Sequence, residues 1–306
     1  MSYDLIIIGG GPAGVAAGVY AARKKIKTVL VSDSFGGQSL ISDNIENWIG
    51  EKVISGLDLA KKFETHLKSH EEIEIIEGDK VLKIGESNGI FISETEAGKK
   101  LEAKTILLAC GSVRRKLGVP GEKEFEGKGV FYCSICDAPI MKDKIAVVVG
   151  GGNAGLEAAV DLLPYASKIY LLHRREELKG DPVTQEMIVK NPKVEIILSA
   201  EIQEIAGSNF VEKITYKDTK TNEIKNLAVN GVFVEIGAVP NSEMVKDLVV
   251  LNEKGEVIVD HKTQGSSRLG IWAAGDVSDV LYKQNNVSAG DAIKAVLNIY
   301  DYLSKN

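Results

Sequence analysis

Tyr3-Asp4-Leu5-Ile6-Ile7-Ile8-Gly9-Gly10-Gly11-Pro12-Ala13-Gly14 and Ile145-Ala146-Val147-Val148-Val149-Gly150-Gly151-Gly152-Asn153-Ala154-Gly155 are two copies of one pattern. Each is a short apolar run followed by Gly-x-Gly-x-x-Gly and then a stretch of small and apolar residues. The run reads as a buried strand and the stretch as a helix packed closely on it. In such a loop the first glycine allows the tight turn, the second lets backbone approach a pyrophosphate, and the third allows close helix–strand packing. The phosphates then lie at the positive end of the helix dipole.

The repeat extends beyond the glycines. Strands are expected at 3–8 and 27–31 around a helix over 12–25, and at 145–149 and 168–172 around a helix over 154–164. The first glycines, Gly9 and Gly150, lie 141 residues apart, as do Ser32 and His173 at the ends of the second strands. The fold class is therefore α/β, with two Rossmann-like dinucleotide-binding domains. Residues 91–101 and 211–226 read as hairpins inserted in each unit. Gly111 to Gly121 and Gly237 to Asn241 read as crossovers. Leu269 to Asp276 reads as a further strand, and Ser288 to Tyr302 as a C-terminal helix. The second domain is then inserted into the first, with boundaries of 1–113, 114–241 and 242–306.

A chain of 306 residues suits about two domains, and 44% hydrophobic with 26% charged residues is ordinary for a globular protein. The net charge of −6 argues against nucleic acid as the main partner. No apolar run approaches the ~20 residues of a membrane span. The first apolar run starts behind Asp4 with no basic region ahead of it, which reads as a buried strand and not as a leader peptide. Of three cysteines, two form Cys133-Ser134-Ile135-Cys136. That usage suits a reducing cytosol and a catalytic pair. The expected location is cytoplasmic.

Two nucleotide loops and one dithiol imply electrons passing from a nicotinamide through a flavin to a disulfide. Asp137, directly after Cys136, has the chemistry to shuttle a proton to or from a leaving thiolate, or to serve as a turn residue. Zinc is a poor reading, because a second cysteine pair is absent and Cys110 alone does not complete a site. Cys110 lies in the apolar Thr105–Gly111 stretch and reads as an inert core thiol. His66 and His70 stand four apart but lack further ligands, so they read as a solvated helix face. No metal site is expected.

An acid usually ends the second strand to bind a ribose. Ser32, followed by Asp33, stands there in the first copy. In the second copy the place belongs to His173-Arg174-Arg175, whose guanidiniums suit a 2′-phosphate and hence NADPH. Glu176 and Glu177 follow directly and have the charge to neutralise them.

Together these residues resemble the low-molecular-weight thioredoxin reductases over essentially the whole chain. Further matching stretches are Gly36-Gly37-Gln38, Glu46-Asn47-Trp48, Arg114 with Pro120-Gly121-Glu122, Ala274-Gly275-Asp276-Val277 and Tyr282-Lys283-Gln284. Several details are more similar to the flavoprotein subunit of alkyl hydroperoxide reductase. That relative carries thioredoxin-like domains ahead of its first strand. Here the first strand begins by residue 3 or 4, so the acceptor is expected to be a separate protein.

The resemblance implies FAD in the first domain and NADPH in the second. It implies flavin contacts from Gly9, Gly11, Pro12, Ala13, Gly14, Ser32, Asp33, Gly37, Gln38, Asn47, Val81, Asp276, Val277, Lys283, Gln284 and Asn285. Nicotinamide nucleotide contacts fall to Gly150, Gly152, Asn153, Ala154, Gly155, His173, Arg174, Arg175 and Lys179. Lys179-Gly180 replaces the family's arginine–alanine, and Lys283 replaces an arginine. The resemblance further implies a homodimer, a Cys133–Cys136 disulfide that reduces thioredoxin or a thioredoxin-like protein, and hinges near Arg114 to Val119 and Gly237 to Asn241. Three rivals remain: a peroxiredoxin-linked or glutaredoxin-like acceptor with NADH, a flavin enzyme fed by another reductant, and a non-catalytic redox-sensing flavoprotein.

Overall fold

The computed structural model describes residues 2–42 and 45–305. The chain divides into two compact units, one built from Met1–Val113 and Val239–Asn306, the other from Arg114–Ala238. The return crossing falls three residues before the expected Asn241. The reason is a pair of hydrogen bonds across the chain. The Asn241 backbone N–H donates to the Gly111 carbonyl (3.0 Å) and its side-chain amide to the Cys110 carbonyl (2.7 Å), so Asn241 belongs to the outer unit.

The outer unit is organised by the strand Ser2–Gly10. It pairs in parallel with Thr28–Phe35 on one side and Lys100–Leu108 on the other. Ile73–Glu77 and Ile271–Ala273 extend the parallel sheet at its two sides. Side chains alternate across a strand. Leu5 and Ile7 accordingly join one core layer and Ile6 and Ile8 the other. The first layer holds three helices, Pro12–Arg23, Gly56–Lys68 and Asn285–Leu303. Ala13, Ala17 and Ala21 share that layer with Ala292, Ala295, Val296 and Ile299. Small side chains at i and i+4 let these helices lie close to the sheet and to each other.

The other layer packs against a three-stranded antiparallel arm, Val81–Ser87, Ile90–Thr95 and Lys100–Leu108. The hairpin expected at 91–101 is thus its second turn. Further boundaries differ from expectation: the strand expected at 27–31 is Thr28–Phe35, and the helix expected at 154–164 is Asn153–Leu162. The first helix ends at Arg23, and Lys25 takes a left-handed φ of 57° that turns the chain into the next strand. The late strand is only Ile271–Ala273, because Gly275 at φ 74° opens a 3-10 turn over Gly275–Val277. The last helix begins at Asn285, three residues early.

The inner unit has a parallel sheet in the order Val194–Ile197, Lys168–Leu172, Ile145–Val149, Gly231–Val234, Val130–Phe131. The helix Asn153–Leu162 packs on it through Leu156, Ala158, Ala159 and Leu162. A second sheet, Ala200–Gly207, Val211–Asp218 and Ile224–Ala228, is antiparallel and covers the opposite face through Ile202, Ile205 and Ile214. The connection from Ile145–Val149 leads through a helix to Lys168–Leu172, while Gly231–Val234 lies on the other side. The connections thus diverge between these two strands, and sheets of this kind hold ligands at the carboxyl ends of such strands. No helix among the described residues is long and apolar enough to cross a membrane.

Leu171 is wholly buried in the layer beneath the helix Asn153–Leu162. Leu171→Ala is expected to destabilise the protein by about 2–5 kcal/mol, because the layer cannot fully collapse around the lost atoms. Chemical denaturation read by far-ultraviolet circular dichroism checks it.

Candidate active site

In the first glycine loop, Gly9, Gly10 and Gly14 are required by the fold and Gly11 is not. A Cβ at Gly9 would lie 2.3 Å from the Ala109 carbonyl oxygen, and one at Gly14 would lie 1.8 Å from that of Gly9. At Gly11 only the Gly37 Cα comes within 4 Å, at 3.9 Å. The open space at Gly11 is what a phosphate needs to meet backbone. Gly11 is the N-cap of the helix, Pro12 stands in its first turn, and no side chain caps it. The helix start is thus left to an anion.

Distant segments of the outer unit converge around this loop. The Gln38 side-chain amide donates to the Ser112 carbonyl (2.8 Å) and to Asp276 Oδ2 (3.2 Å). Asn47 donates to Gln284 Oε1 (3.2 Å), Asn285 to Ser39 Oγ (3.0 Å), and Asn286 to the Asn47 carbonyl (2.7 Å). The segments carrying Gly37, Gln38, Asn47, Asp276, Gln284 and Asn285 are therefore tied into one network. Ser39, Ser112 and Asn286 are its unforeseen members, and nothing in their local pattern marks them.

Other expected contacts have partners of their own. The Ser32 hydroxyl donates to the Ser34 carbonyl (2.6 Å), and Asp33 pairs with Lys80 (3.1 Å). Lys283 donates to the carbonyls of Asp276 (3.2 Å) and Ser278 (2.6 Å) and pairs with Glu256 (3.0 Å). It braces the Gly275–Val277 turn that carries Asp276. The side chains of Val81 and Val277 are buried in the core, so they offer a ligand only their backbone.

The second loop repeats the first. A Cβ at Gly155 would lie 2.0 Å from the Gly150 carbonyl oxygen, whereas at Gly152 nothing lies within 4 Å. Gly152 caps the helix Asn153–Leu162 without a side-chain bond. The Lys179 N–H donates to the Gly151 carbonyl (2.7 Å), and Asn153 Oδ1 accepts from the Asp181 N–H (2.7 Å). Gly180 is explained by packing, since a Cβ there would lie 2.2 Å from Leu156 Cδ1. His173 packs its ring over Gly151, and its buried Nε2 has no hydrogen-bond partner in the structure. Burial, then the charges of Arg175 and Arg174, push its pKa down and favour a neutral ring. Arg174 and Arg175 are exposed, and among the described residues no acid pairs with either. Glu176 pairs instead with Lys220, at 3.5 Å.

The dithiol lies on a single helical turn, Ser134–Asp137, with Cys133 as its N-cap. Cys133 and Cys136 form a disulfide with Cα atoms 5.4 Å apart. Ile135 between them is 61% exposed. Burial raises the Asp137 carboxyl to about 7. Ahead of the dithiol, the buried Glu122 carboxylate accepts from the Leu117 N–H (2.8 Å), the Gly118 N–H (2.7 Å) and the Tyr132 hydroxyl (3.0 Å). It fixes the residue next to Cys133. Ser134 donates its hydroxyl to Asp161 Oδ2 (2.7 Å), a contact the sequence pattern does not suggest.

Cys110 lies just beyond its strand, not within it, and is only partly covered. Its thiol donates to the Asn241 carbonyl (3.1 Å), and burial of the sulfur pushes its pKa up to about 12. An un-ionised thiol is a poor nucleophile. His66 and His70 have ring centroids 5.8 Å apart, and no group of three potential metal ligands occurs among the described residues.

Paired glycine loops and a dithiol define a nucleotide-dependent disulfide oxidoreductase. The chain belongs to the pyridine nucleotide-disulphide oxidoreductase family, whose model matches residues 3–294. It is 41% identical over 304 residues to a Bacillus subtilis protein named NADH dehydrogenase, covering 99% of this chain and 59% of that one. It is likewise 41% identical over 306 residues to a subunit of alkyl hydroperoxide reductase in Pseudomonas aeruginosa, covering 99% and 58%. The chain thus spans about three-fifths of the length of these curated relatives. Among solved structures it is similar to thioredoxin reductase from Streptococcus pyogenes, with a TM-score of 0.93, 35% identity and coverage of 100% and 99%. Thioredoxin reductase from Giardia duodenalis gives a TM-score of 0.92 at 30% identity, covering 99% of both chains. The family uses FAD and a nicotinamide nucleotide, and the two open glycine loops fit two dinucleotides.

The Asp137 carboxyl makes stability depend on pH. Its pKa is 3.8 in the unfolded reference and about 7 when folded. Between those values the folded state holds the proton that the unfolded state has lost, so stability falls as pH rises through the window. Asp137→Asn removes the titrating group. The variant's stability relative to wild type is expected to grow from about pH 4 to about pH 7, by a few kcal/mol at most, and to level off above. Denaturation at pH values on both sides of the window tests this.

Proposed function

We propose that this protein is a flavin-dependent disulfide reductase. It takes electrons from NADPH and delivers them through Cys133 and Cys136 to the disulfide of thioredoxin or a thioredoxin-like protein. The observation that carries the reading is the Cys133–Cys136 disulfide on an exposed turn of a unit that also holds an open nucleotide loop. Gly11 to Gly14, Gln38 and the Asp276 and Gln284 segments would hold FAD, which when bound would supply the exchange of a hydride for an electron pair. The Cys133–Cys136 bond breaks on taking up two electrons, and its sulfurs bind two protons. Asp137, near neutral pKa, is suited to giving one and later recovering it. One thiolate then attacks the acceptor disulfide, and the other thiol displaces the acceptor as a dithiol. The buried Glu122–Tyr132 bond keeps the loop in place through both steps. A homodimer belongs to the same reading and rests on resemblance alone.

Preference for NADPH is supported by Arg174 and Arg175 at the strand end, where an NAD site would want an acid. A second reading, NADH with a peroxiredoxin-linked acceptor, is favoured by the names of the B. subtilis and P. aeruginosa relatives.

Turnover of a thioredoxin-like disulfide with NADPH or NADH, for a panel of acceptors, decides between them. Cys133→Ser and Cys136→Ser are each expected to reduce that turnover by at least about 10³-fold. Flavin reduction by the nucleotide should persist in both. Cys110→Ser is expected to retain activity. A charge-assisted contact is worth about 1.5–3 kcal/mol, so Arg174→Ala with Arg175→Ala should cut the NADPH-over-NADH ratio of kcat/KM by roughly a hundredfold. An unchanged ratio would show that the arginines do not read the phosphate.

A further inference from the structure

The dithiol turn is seated on the helix Asn153–Leu162, and the seat has an apolar and a polar part. The apolar part is Ala138 and Met141, which follow the turn and share a buried layer with Leu156, Ala158, Ala159 and Leu162. The polar part is the bond from Ser134. This residue stands between the two cysteines, is 8% exposed, and donates its hydroxyl to Asp161 Oδ2 at 2.7 Å. Ile135, the other residue between the cysteines, is 61% exposed. The segment that separates the sulfurs is therefore held to the rest of the unit through the Ser134 side chain. Asp161 is the last residue but one of its helix, and the open loop at Gly152 caps the other end. One helix thus starts at the nucleotide loop and ends under the dithiol.

While the disulfide is closed, the covalent bond itself keeps the Cys133 and Cys136 Cα atoms 5.4 Å apart. Opening breaks the sulfur–sulfur bond, takes up two electrons and binds two protons. From then on the spacing depends on what holds the turn. Two thiols close to a disulfide in proportion to the effective concentration of one at the other, and that falls as the chain between them gains freedom. We propose that Asp161 is a positioning residue for the dithiol. Through the Ser134 hydroxyl it keeps the opened turn in the shape of the closed one. The entropy released on opening is then small, the disulfide is favoured over the free thiols, and the reduced pair is the stronger electron donor to an acceptor disulfide. This rests on the dithiol being the reaction centre, but its consequence is read as an equilibrium, without acceptor or nucleotide.

The test uses the full flavin-loaded chain in a Cys110→Ser background, equilibrated at fixed pH with graded ratios of reduced and oxidised dithiothreitol. The exchange converts the protein disulfide and a dithiothreitol dithiol into the protein dithiol and a cyclic disulfide. Free thiols are trapped by alkylation, and the Cys133–Cys136 peptide is quantified by mass spectrometry. Ser134→Ala and Asp161→Ala are each expected to lower the equilibrium constant for disulfide formation by about three- to tenfold, which raises the potential by about 14–30 mV. The double variant should move it no further than either single one, because both remove the same bond. Asp161→Asn keeps an acceptor for the hydroxyl and should stay closer to wild type than Asp161→Ala. Ser134→Ala with Asp161→Asn carries the test if Asp161→Ala does not fold. A merely structural contact would weaken the oxidised and reduced forms alike and leave the constant where it is. An unmoved constant in the variants that fold, a shift toward the disulfide, or additive shifts in the double variant overturn the proposal. If the constant shifts as expected but Cys133→Ser still turns over a thioredoxin-like disulfide, the role of Asp161 stands and the reading of the dithiol as reaction centre falls.

Discussion

At Gly14 and Gly155 a helix is pressed onto its strand so closely that a methyl group would sit 1.8 and 2.0 Å from a carbonyl oxygen. That contact fixes the direction in which the helix starts. It leaves the adjoining backbone at Gly11 and Gly152 facing open space, and it allows the alanine-rich helix Pro12–Arg23 to lie flat on the sheet. The rest of each unit is arranged around this constraint. The same scaffold then diverges at the tip of its second strand. In one copy Ser32 turns back on its own chain and Lys80 holds Asp33. In the other, two arginines face solvent.

The parts of the fold legible in the sequence are those whose pattern is local. Alternation through Leu5 to Ile8 and the glycine spacing are set by neighbouring residues, and the strand Lys168–Leu172 begins and ends where its apolar run does. The helix end at Arg23 and the shortened strand Ile271–Ala273 are harder to read. Both are decided by single backbone conformations, at Lys25 and Gly275, that leave an apolar pattern unbroken. The crossing near residue 238 is decided by hydrogen bonds from Asn241 to residues 131 positions away.

The candidate site divides in the same way. The dithiol and the glycine loops announce themselves by residue type. The Ser134–Asp161 bond does not, because it joins residues 27 positions apart that no local pattern relates. Lys283 and Asp33 show the reverse case. Residues that resemblance assigns to a ligand are engaged in bracing the turn and loop that surround it. Burial, more than charge pairing, sets the chemistry of the acids beside the dithiol. It holds Asp137 near neutrality and makes proton exchange there responsive to ordinary pH.

The inner unit is one uninterrupted stretch of chain, whereas the outer unit is closed by residues from both ends of the sequence. Ile271–Ala273 must find Ile106–Leu108 across the whole inner unit, and Ala292 to Ile299 must pack beside the helix Pro12–Arg23. As the chain leaves the ribosome, the inner unit has all its strands once residue 234 is free. The outer sheet still lacks Ile271–Ala273 for about forty residues more, and its first helix a neighbour for some sixty, so apolar surface at Ala17 and Ala21 stays uncovered until synthesis is nearly done. Placing the compact inner unit inside that long loop shortens the effective gap its ends must close, which lowers the entropic cost of joining them. The insertion is thus also an ordering device: the outer unit is closed only after the whole inner unit has been made.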